Sequence, residues 1–169
     1  MLSKKNNLKH FIQSSGFCGP ASLKIALSYF NKEFSEKKLA KLAKANRQSG
    51  TEHEGMIKAI KKINGYVFAK ENSTINDLEY FIKKENLPVI VGWFDNDGDH
   101  YSVVFDINSK NIILSDPACN QPKREIKKKI FPKIWFDFVG TKNQKVSWGW
   151  LMVIYFEKGK KFKIKGKYY

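Results

Sequence analysis

The sequence is poor in cysteine and arginine and has no long apolar segment. Its two cysteines among 169 residues are too few for the disulfide framework of a small secreted domain. All but two of its 31 basic residues are lysine, whereas nucleic-acid binders usually use the planar arginine fork. The longest apolar run, residues 148–156, is far shorter than the ~20 residues that span a bilayer. We therefore expect no disulfide scaffold, no specific nucleic-acid binding and no transmembrane segment.

Composition and charge set the broad class of the protein. Hydrophobic residues make up 42% of the chain and aromatic residues 14%, enough for a core in a single domain over residues 1–169. Residues 1–10 are basic and polar without the apolar region of a secretory signal, which predicts a cytoplasmic protein. The net charge of +15, with abundant Asn and Ile, is typical of a compositional bias. A working basic surface for acidic partners or an anionic membrane is the alternative.

The hydrophobic pattern changes from helical to strand-like along the chain. Apolar residues at helical spacing predict helices at 18–30, 35–45, 51–63 and 74–85, with a strand at 66–69. Later apolar runs predict strands at 87–94, 100–107 and 112–115, a turn at 95–99, an aromatic helix or loop at 131–139 and a hairpin of 148–156 with 162–165. Helices followed by a meandering sheet predict an α+β fold.

Cys18 begins the first predicted helix, between Gly16 and the Gly19–Pro20 pair. Proline suits a first helical turn, and the positive end of the helix dipole favours a thiolate. Cys18 is therefore a candidate nucleophile, although most free cysteines are ordinary buried side chains.

His100 and Asp116 are candidate partners of this thiol. His100 opens a predicted strand and Asp116 ends the next one, so a hairpin between them can bring the two side chains together. An imidazole can carry the thiol proton to a leaving amine, and a carboxylate can orient the ring. An exposed turn histidine and a strand-ending turn are the alternatives. We expect His10 and His53 to be such exposed histidines, because neither has neighbours typical of a site.

Gln13 and two weaker patterns complete the candidate residues. The Gln13 amide, five residues before the cysteine, can donate to an oxyanion together with the Cys18 backbone N–H, unless it is a surface residue. Alternating Asp95, Asp97 and Asp99 lack the helices and distal Glu of a calcium loop, so we expect a solvated turn. A metal site of Cys18, His100 and Cys119 lacks zinc-site spacing. We expect neither a metal nor a cofactor.

Three segments carry a resemblance to a known family. They are Gln13 leading to Cys18-Gly19-Pro20-Ala21-Ser22-Leu23, then Asp99-His100-Tyr101-Ser102-Val103-Val104, and then Ser115-Asp116-Pro117. In these segments the chain resembles the papain-like cysteine peptidases of family 39, known from bacteriocin-processing transporters, and their stand-alone relatives. The resemblance extends over about residues 8–156 and leaves 157–169 as a basic C-terminal strand or tail.

The resemblance implies a papain-like fold, with N-terminal helices packed on a C-terminal antiparallel sheet. It also implies that Cys18 is the nucleophile, that His100 is the general base and acid, that Asp116 orients His100, and that Gln13 builds the oxyanion hole. The implied substrate is a peptide or protein, in the family often a leader peptide cut after a Gly-Gly pair. Phe17 replaces the acidic residue usual in transporter-linked members, the Gln-to-Cys gap is one residue shorter, and we expect no membrane or ATPase domain to follow. These departures favour the stand-alone branch.

Three functions stay open at this stage. The first is a cysteine peptidase that forms an acyl-enzyme. The second is an amidase, deamidase or acyltransferase with the same triad, since papain-like folds support several reactions. The third is a peptide-binding module without catalysis. Peripheral association with a transporter or an anionic surface is compatible with all three.

Overall fold

The computed structural model describes residues 8–96, 98–140 and 145–169. Within them, the α-helices are α1 (Cys18–Ser28), α2 (Glu36–Ala43), α3 (His53–Lys61), α4 (Ile75–Glu79) and α5 (Phe131–Ile134). The strands are β1 (Tyr66–Lys70), β2 (Val89–Asp95), β3 (Gly98–Ile107), β4 (Asn111–Ser115), β5 (Arg124–Lys127), β6 (Phe136–Val139), β7 (Lys145–Trp148), β8 (Leu151–Tyr155) and β9 (Lys167–Tyr168). Among these residues no helix has the length and apolarity to cross a membrane.

Seven of the strands form one antiparallel sheet, in the order β5-β4-β3-β2-β8-β1-β9. Strands β6 and β7 pair separately as a small antiparallel ribbon. The N-terminal helices α1 and α3 pack against the large sheet, and α2 packs against α1 and α3. Helices first and an antiparallel sheet second confirm the predicted α+β class.

Strand β2 lies near the middle of the sheet and is buried on both faces. Val89, Val91 and Trp93 join the core on the side of α4 and α5, whereas Ile90 joins the core beneath α1 to α3. A strand covered on both faces needs apolar residues at every position. This explains the nearly continuous apolar run that the sequence shows here.

The helix ends follow local capping chemistry. The Ser35 hydroxyl accepts a hydrogen bond from the Lys38 backbone N–H at 3.2 Å, so Ser35 is the N-cap of α2. Thr74 and Asp77 form a capping box at the start of α4. Helix α4 then continues into a π-helical turn at Tyr80–Lys84.

The predicted hairpin of 148–156 with 162–165 is wrong. Strand β8 lies between β2 and β1, where Met152 pairs with Ile90 on one side and Ala69 on the other. All five residues of β8 are buried, and a two-stranded hairpin cannot bury both faces of such a strand. Phe162 instead packs its side chain into the core, and the short strand β9 pairs with β1.

One further local prediction needed correction, because residues 131–139 form both helix α5 and strand β6, not a single helix or loop. Strand β7 ends at Trp148, and Gly149 after it has a φ of +56°, so Trp148 and Trp150 lie in different environments. The Trp148 side chain is consequently exposed, whereas Trp150 is buried.

Candidate active site

Cys18 is the first residue of α1 and follows a tight turn. Gly16 in that turn has a φ of +77°, and a Cβ there would lie 2.4 Å from the carbonyl oxygen of Arg47. A Cβ on Gly19 would lie 2.8 Å from the Thr51 side chain. Glycine at both positions lets the start of α1 lie directly against the 47–51 segment, and this contact holds Cys18 at the wall of a cleft.

The His100 ring lies between Cys18 and Asp116. Strands β3 and β4 pair with Val103 opposite Ser115, which brings the start of one strand to the end of the other. The His100 Nε2 atom is 2.6 Å from Asp116 Oδ1, and the ring also lies close enough to the Cys18 side chain to interact with it electrostatically. Because Nε2 is engaged by the carboxylate, Nδ1 is the ring nitrogen that faces the thiol.

Asp116 is fully buried and is held by three donors. Its Oδ1 accepts hydrogen bonds from His100 and from the Ala118 backbone N–H at 3.0 Å. Its Oδ2 accepts from Arg124 Nη1 at 2.6 Å. Burial alone would raise the pKa of Asp116, but these donors and the nearby positive charge hold the pKa well below its usual value. Asp116 therefore stays a carboxylate.

The environment of His100 favours the imidazolium. Burial by itself would lower the pKa of His100, but hydrogen bonds and charge interactions with Asp116 and Cys18 raise it from 6.5 to about 9. A protonated ring at neutral pH is stabilised by the Asp116 carboxylate on one side, and its positive charge faces Cys18 on the other. The arrangement can therefore hold a thiolate–imidazolium pair.

Arg124 connects Asp116 to strand β2. Its guanidinium binds both oxygens of Asp95 at 2.6 and 2.8 Å as well as Asp116, and it lies over the Trp93 ring. The prediction that Asp95 belongs to a solvated turn is therefore wrong, because Asp95 ends β2 and is ion-paired. Asp97 of the same pattern lies outside the described residues.

Gln13 lies on the same cleft as Cys18 and His100. Its backbone N–H donates to the Pro117 carbonyl oxygen at 2.8 Å, which ties the segment before the cysteine to the segment after Asp116. Its side-chain Oε1 is buried, with no hydrogen-bond partner in the part of the chain that the structure describes. This oxygen is thus available to accept a hydrogen bond from a group in the cleft.

The cleft itself has a volume of about 730 Å³. Its lining residues come from the 13–18 segment, the 47–52 segment, the start of β3 and strand β6 with the residue after it. Cys119 is not among its lining residues in the described ranges, and there no cluster of three His, Cys, Asp or Glu side chains is placed to hold a metal ion.

A second histidine–carboxylate pair borders the cleft, and it was not expected from the sequence. His53 Nε2 lies 2.6 Å from Asp137 Oδ2, with side-chain exposures of only 12% and 5%. The His53 ring stacks on Trp150 at 3.9 Å. A Cβ on Gly92 would lie 2.4 Å from Asp137 Oδ2, so a glycine in β2 leaves the room for this pair. The prediction of an exposed His53 is therefore wrong.

The prediction for His10 is wrong too. His10 Nδ1 lies 2.9 Å from the Ser115 hydroxyl and Nε2 lies 2.8 Å from the Cys119 carbonyl oxygen. The ring thus bridges the end of β4 and the segment after Asp116. The ring is not exposed because the 8–13 segment is held against α1 and the segment after β4, through Lys9 N–H to Ser28 Oγ and Gln13 N–H to the Pro117 carbonyl oxygen.

Some of the missed residues had a sequence signal and others had none. Arg124 is one of two arginines in a lysine-rich chain, and a rare arginine is typical of a carboxylate clamp. His53 had no such signal, because only the fold brings the start of α3 to the edge of the cleft and next to Asp137. Asp137 had no local signal, since its partner lies 84 residues away.

The sequence matches a family profile and two relatives from other organisms. The peptidase C39 family profile matches residues 4–146. An uncharacterized protein of Methanothermobacter marburgensis is 36% identical over 124 residues, covering 73% of this chain and 80% of that protein. The pediocin PA-1 transport/processing ATP-binding protein PedD of Pediococcus acidilactici is 31% identical over 120 residues, which are 70% of this chain and 16% of PedD.

A solved structure shares the fold. The crystal structure of the peptidase domain of Streptococcus ComA, a bifunctional ABC transporter of a quorum-sensing pathway, matches with a TM-score of 0.69 and 22% identity, over 87% of this chain and 97% of that domain. This agreement confirms the expected papain-like arrangement of helices on a sheet. With a family profile over most of its length, the chain belongs to the peptidase C39 family.

Proposed function

We propose that this chain is a cysteine peptidase that hydrolyses peptide bonds with Cys18 as nucleophile. The observation that carries the proposal is that Cys18 lies beside His100, which is hydrogen-bonded to the buried Asp116, and that Cys18 and His100 both line the cleft. A nucleophile, a base and a group that orients the base, in contact and in that order, is the arrangement that acyl transfer requires.

Acylation follows from this geometry. The Cys18 thiolate attacks the carbonyl carbon of the scissile bond, and the imidazolium of His100 gives its proton to the departing amine. Asp116 keeps Nε2 engaged, so that Nδ1 stays aligned with sulfur and leaving group. The products of this step are a free amine and a thioester between Cys18 and the acyl half of the peptide.

Deacylation uses the same residues in reverse roles. Neutral His100 takes a proton from a water molecule, whose oxygen attacks the thioester carbonyl, and the thiolate leaves. In both steps the carbonyl oxygen becomes negative. The Gln13 amide and the Cys18 backbone N–H, at a helix N-terminus where such groups lack helical acceptors, are the donors for it.

The substrate that fits best is the leader or precursor segment of a peptide. Support comes from the C39 family membership and from the 31% identity to PedD, a protein named for pediocin transport and processing. Catalysis in the cytoplasm and cleavage after a Gly-Gly pair are further parts of the proposal.

The test compares the two cysteines of the chain. Wild type, Cys18→Ala and Cys119→Ala are incubated with a proteome-derived peptide library that includes Gly-Gly leader peptides, and new termini are identified by mass spectrometry. We expect Cys18→Ala to lower cleavage at least ~10³-fold, because no other residue of the site can form the acyl-enzyme. Cys119→Ala should cleave like the wild type, since Cys119 lies away from the cleft.

Cleavage that persists in Cys18→Ala contradicts the proposal. A library left intact by wild type, while iodoacetamide labels Cys18 selectively at pH 6, assigns the triad to an amidase or acyltransferase instead. Equal labelling of Cys18 and Cys119 under these conditions indicates a binding module without catalysis.

A further inference from the structure

Unpaired polar atoms gather in the cleft. Within residues 8–96, 98–140 and 145–169, the buried side-chain polar atoms without a hydrogen-bond partner are Gln13 Oε1, Thr51 Oγ1 and Asp137 Oδ1. All three residues line the cleft that holds Cys18. Buried polar atoms are nearly always paired in folded proteins, so this clustering indicates that the occupant of the cleft supplies their partners. The oxyanion role uses the amide N–H of Gln13 and supplies no partner for its Oε1, so the missing partners of Thr51 and Asp137 are unexplained as well.

Asp137 is a fixed acceptor. Its side chain is 5% exposed, and its Oδ2 is held by His53, whose ring is in turn stacked on Trp150. A carboxylate only accepts hydrogen bonds, so the partner that Oδ1 lacks is a donor. The pairing with His53 and the close backbone of Gly92 prevent the carboxylate from turning to find that donor elsewhere.

The same side of the cleft carries further negative charge. Asp99 and Glu52 also line it, and Asp99 Oδ1 accepts a hydrogen bond from the Phe138 backbone N–H at 2.9 Å. Burial raises the pKa of Asp99, and the nearby carboxylates of Asp137 and Glu52 raise it further. Crowded carboxylates of this kind favour a positive partner.

Among the residues that the structure describes, few basic side chains line the cleft. Within those ranges they are His100, which pairs with Asp116, and Arg47, whose guanidinium lies over the Phe17 ring. His53 also faces Asp137 and Asp99. The acidic side thus creates a local negative field on a molecule whose net charge is +15.

We propose that Asp137, with Thr51, Asp99 and Glu52, forms a substrate subsite that takes a cationic group of the peptide close to the scissile bond. The group is an ammonium or guanidinium, supplied by a Lys or Arg side chain or by a free N-terminus. This inference rests on the proposed peptidase function for the identity of the ligand, whereas the acidic field beside Cys18 is a property of the folded chain alone.

The first test measures that field without any peptide cleavage. Cys18 and Cys119 are modified with a cationic methanethiosulfonate, the aminoethyl reagent, and with a neutral reagent of similar size. Mass spectrometry gives the rate at each cysteine. The ratio of the cationic to the neutral rate cancels differences in thiol reactivity. We expect this ratio to be about tenfold higher at Cys18 than at Cys119 at low salt, and to fall as salt screens the field.

Charge-neutralising variants assign the field to the subsite. Asp137→Asn and Asp99→Asn should each lower the ratio at Cys18 by about 3- to 10-fold, and Asp99→Asn remains informative should Asp137→Asn fail to fold. Glu125→Gln, a matched carboxylate-to-amide change on the exposed strand β5, should leave the ratio unchanged. A ratio at Cys18 no higher than at Cys119, or one insensitive to both aspartate variants, overturns the proposal.

The second test identifies the source of the cation. Matched peptides carry Lys or acetyl-lysine at each position around a cleaved bond, with free or acetylated N-termini, and kcat/KM is measured for wild type and Asp99→Asn. We expect one position, or the free terminus, to gain at least tenfold from its positive charge in wild type and to lose most of that gain in the variant. Peptides cleaved equally well with and without the charge contradict the subsite, whereas a failure of all cleavage with an intact reagent ratio contradicts only the peptidase proposal.

Discussion

At the scale of single residues, Arg124 binds Asp116, the carboxylate that is hydrogen-bonded to His100. Its guanidinium donates a hydrogen bond to the buried Asp116 Oδ2, and it also forms an ion pair with Asp95 at the end of β2. Asp116 has no exposed surface, so water cannot replace a lost arginine there. A buried carboxylate without its counter-charge is costly, and the fold and the site depend on the same side chain.

Replacement of Arg124 tests this double role. Arg124→Met should lower the free energy of unfolding by about 1–3 kcal/mol, less than for a fully buried pair because the guanidinium is partly exposed. It should also shift the pH profile of Cys18 alkylation, since the unpaired Asp116 no longer holds His100 in the same way. Urea unfolding and pH-dependent alkylation measure the two effects.

The matched control is the other arginine of the chain. Arg47→Met, on an exposed side chain, should change the free energy of unfolding by less than about 0.5 kcal/mol. Arg124→Lys keeps the charge but loses the two-pronged contact with Asp95, and should lie between wild type and Arg124→Met. Equal stability of Arg124→Met and Arg47→Met disproves the structural role assigned to Arg124.

At the scale of elements, the acidic side of the cleft depends on how closely β6 approaches β2. The Asp137 carboxylate of β6 lies over the backbone of Gly92 in β2, where any side chain would collide with it. The two strands belong to different sheets, so their separation is set by side-chain contacts and by His53 from α3 instead of by shared backbone hydrogen bonds.

A double-mutant cycle tests this close approach. Gly92→Ala places a methyl group 2.4 Å from Asp137 Oδ2, and we expect it to cost about 1–3 kcal/mol of unfolding free energy through overpacking. In an Asp137→Ala background the same change should cost clearly less, because the colliding carboxylate is gone. Urea unfolding of the four proteins gives the coupling, and additive effects contradict the predicted contact.

The helices and strands differ in how well the local sequence predicts them. The helices α1 to α3, the cap of α2 and the central position of β2 were predictable, because each follows from residues close together in sequence. The neighbours of β8 were not predictable. Strands pair through backbone groups that are alike in every strand, so the short connection to 162–165 predicted a hairpin there. The structure instead buries both faces of β8, which requires a neighbouring strand on each side.

At the scale of the whole molecule, the His100–Asp116 pair links the stability of the fold to pH. The pKa of His100 is raised from 6.5 to about 9 in the fold, so its contribution is complete below about pH 6.5 and is lost as the pH rises through about 9. The pKa of Asp116 lies below its usual value of 3.8, so that contribution is present above about pH 4 and is lost on acidification.

The resulting prediction concerns unfolding on the alkaline side. Between pH 6.5 and pH 9, the free energy of unfolding should fall by about 2–3 kcal/mol through His100. His100→Gln should remove this dependence without changing any lysine, and Cys18→Ala should reduce it, since the interaction with Cys18 is one cause of the raised pKa of His100. Urea unfolding at both pH values measures it, and a parallel fall in His100→Gln argues against the pair as its source.

What the sequence by itself determined is the local chemistry: a cysteine at a helix start, a histidine and an aspartate at strand ends, a glutamine before the cysteine, and an α+β order of elements. These depend on short segments whose conformation is set by neighbours in the chain. Only the tertiary structure decided the order of β8 in the sheet, the clamp of Arg124 and the pairing of His53 with Asp137. Each of these joins side chains or strands from distant segments, and burial rather than local pattern selects such partners.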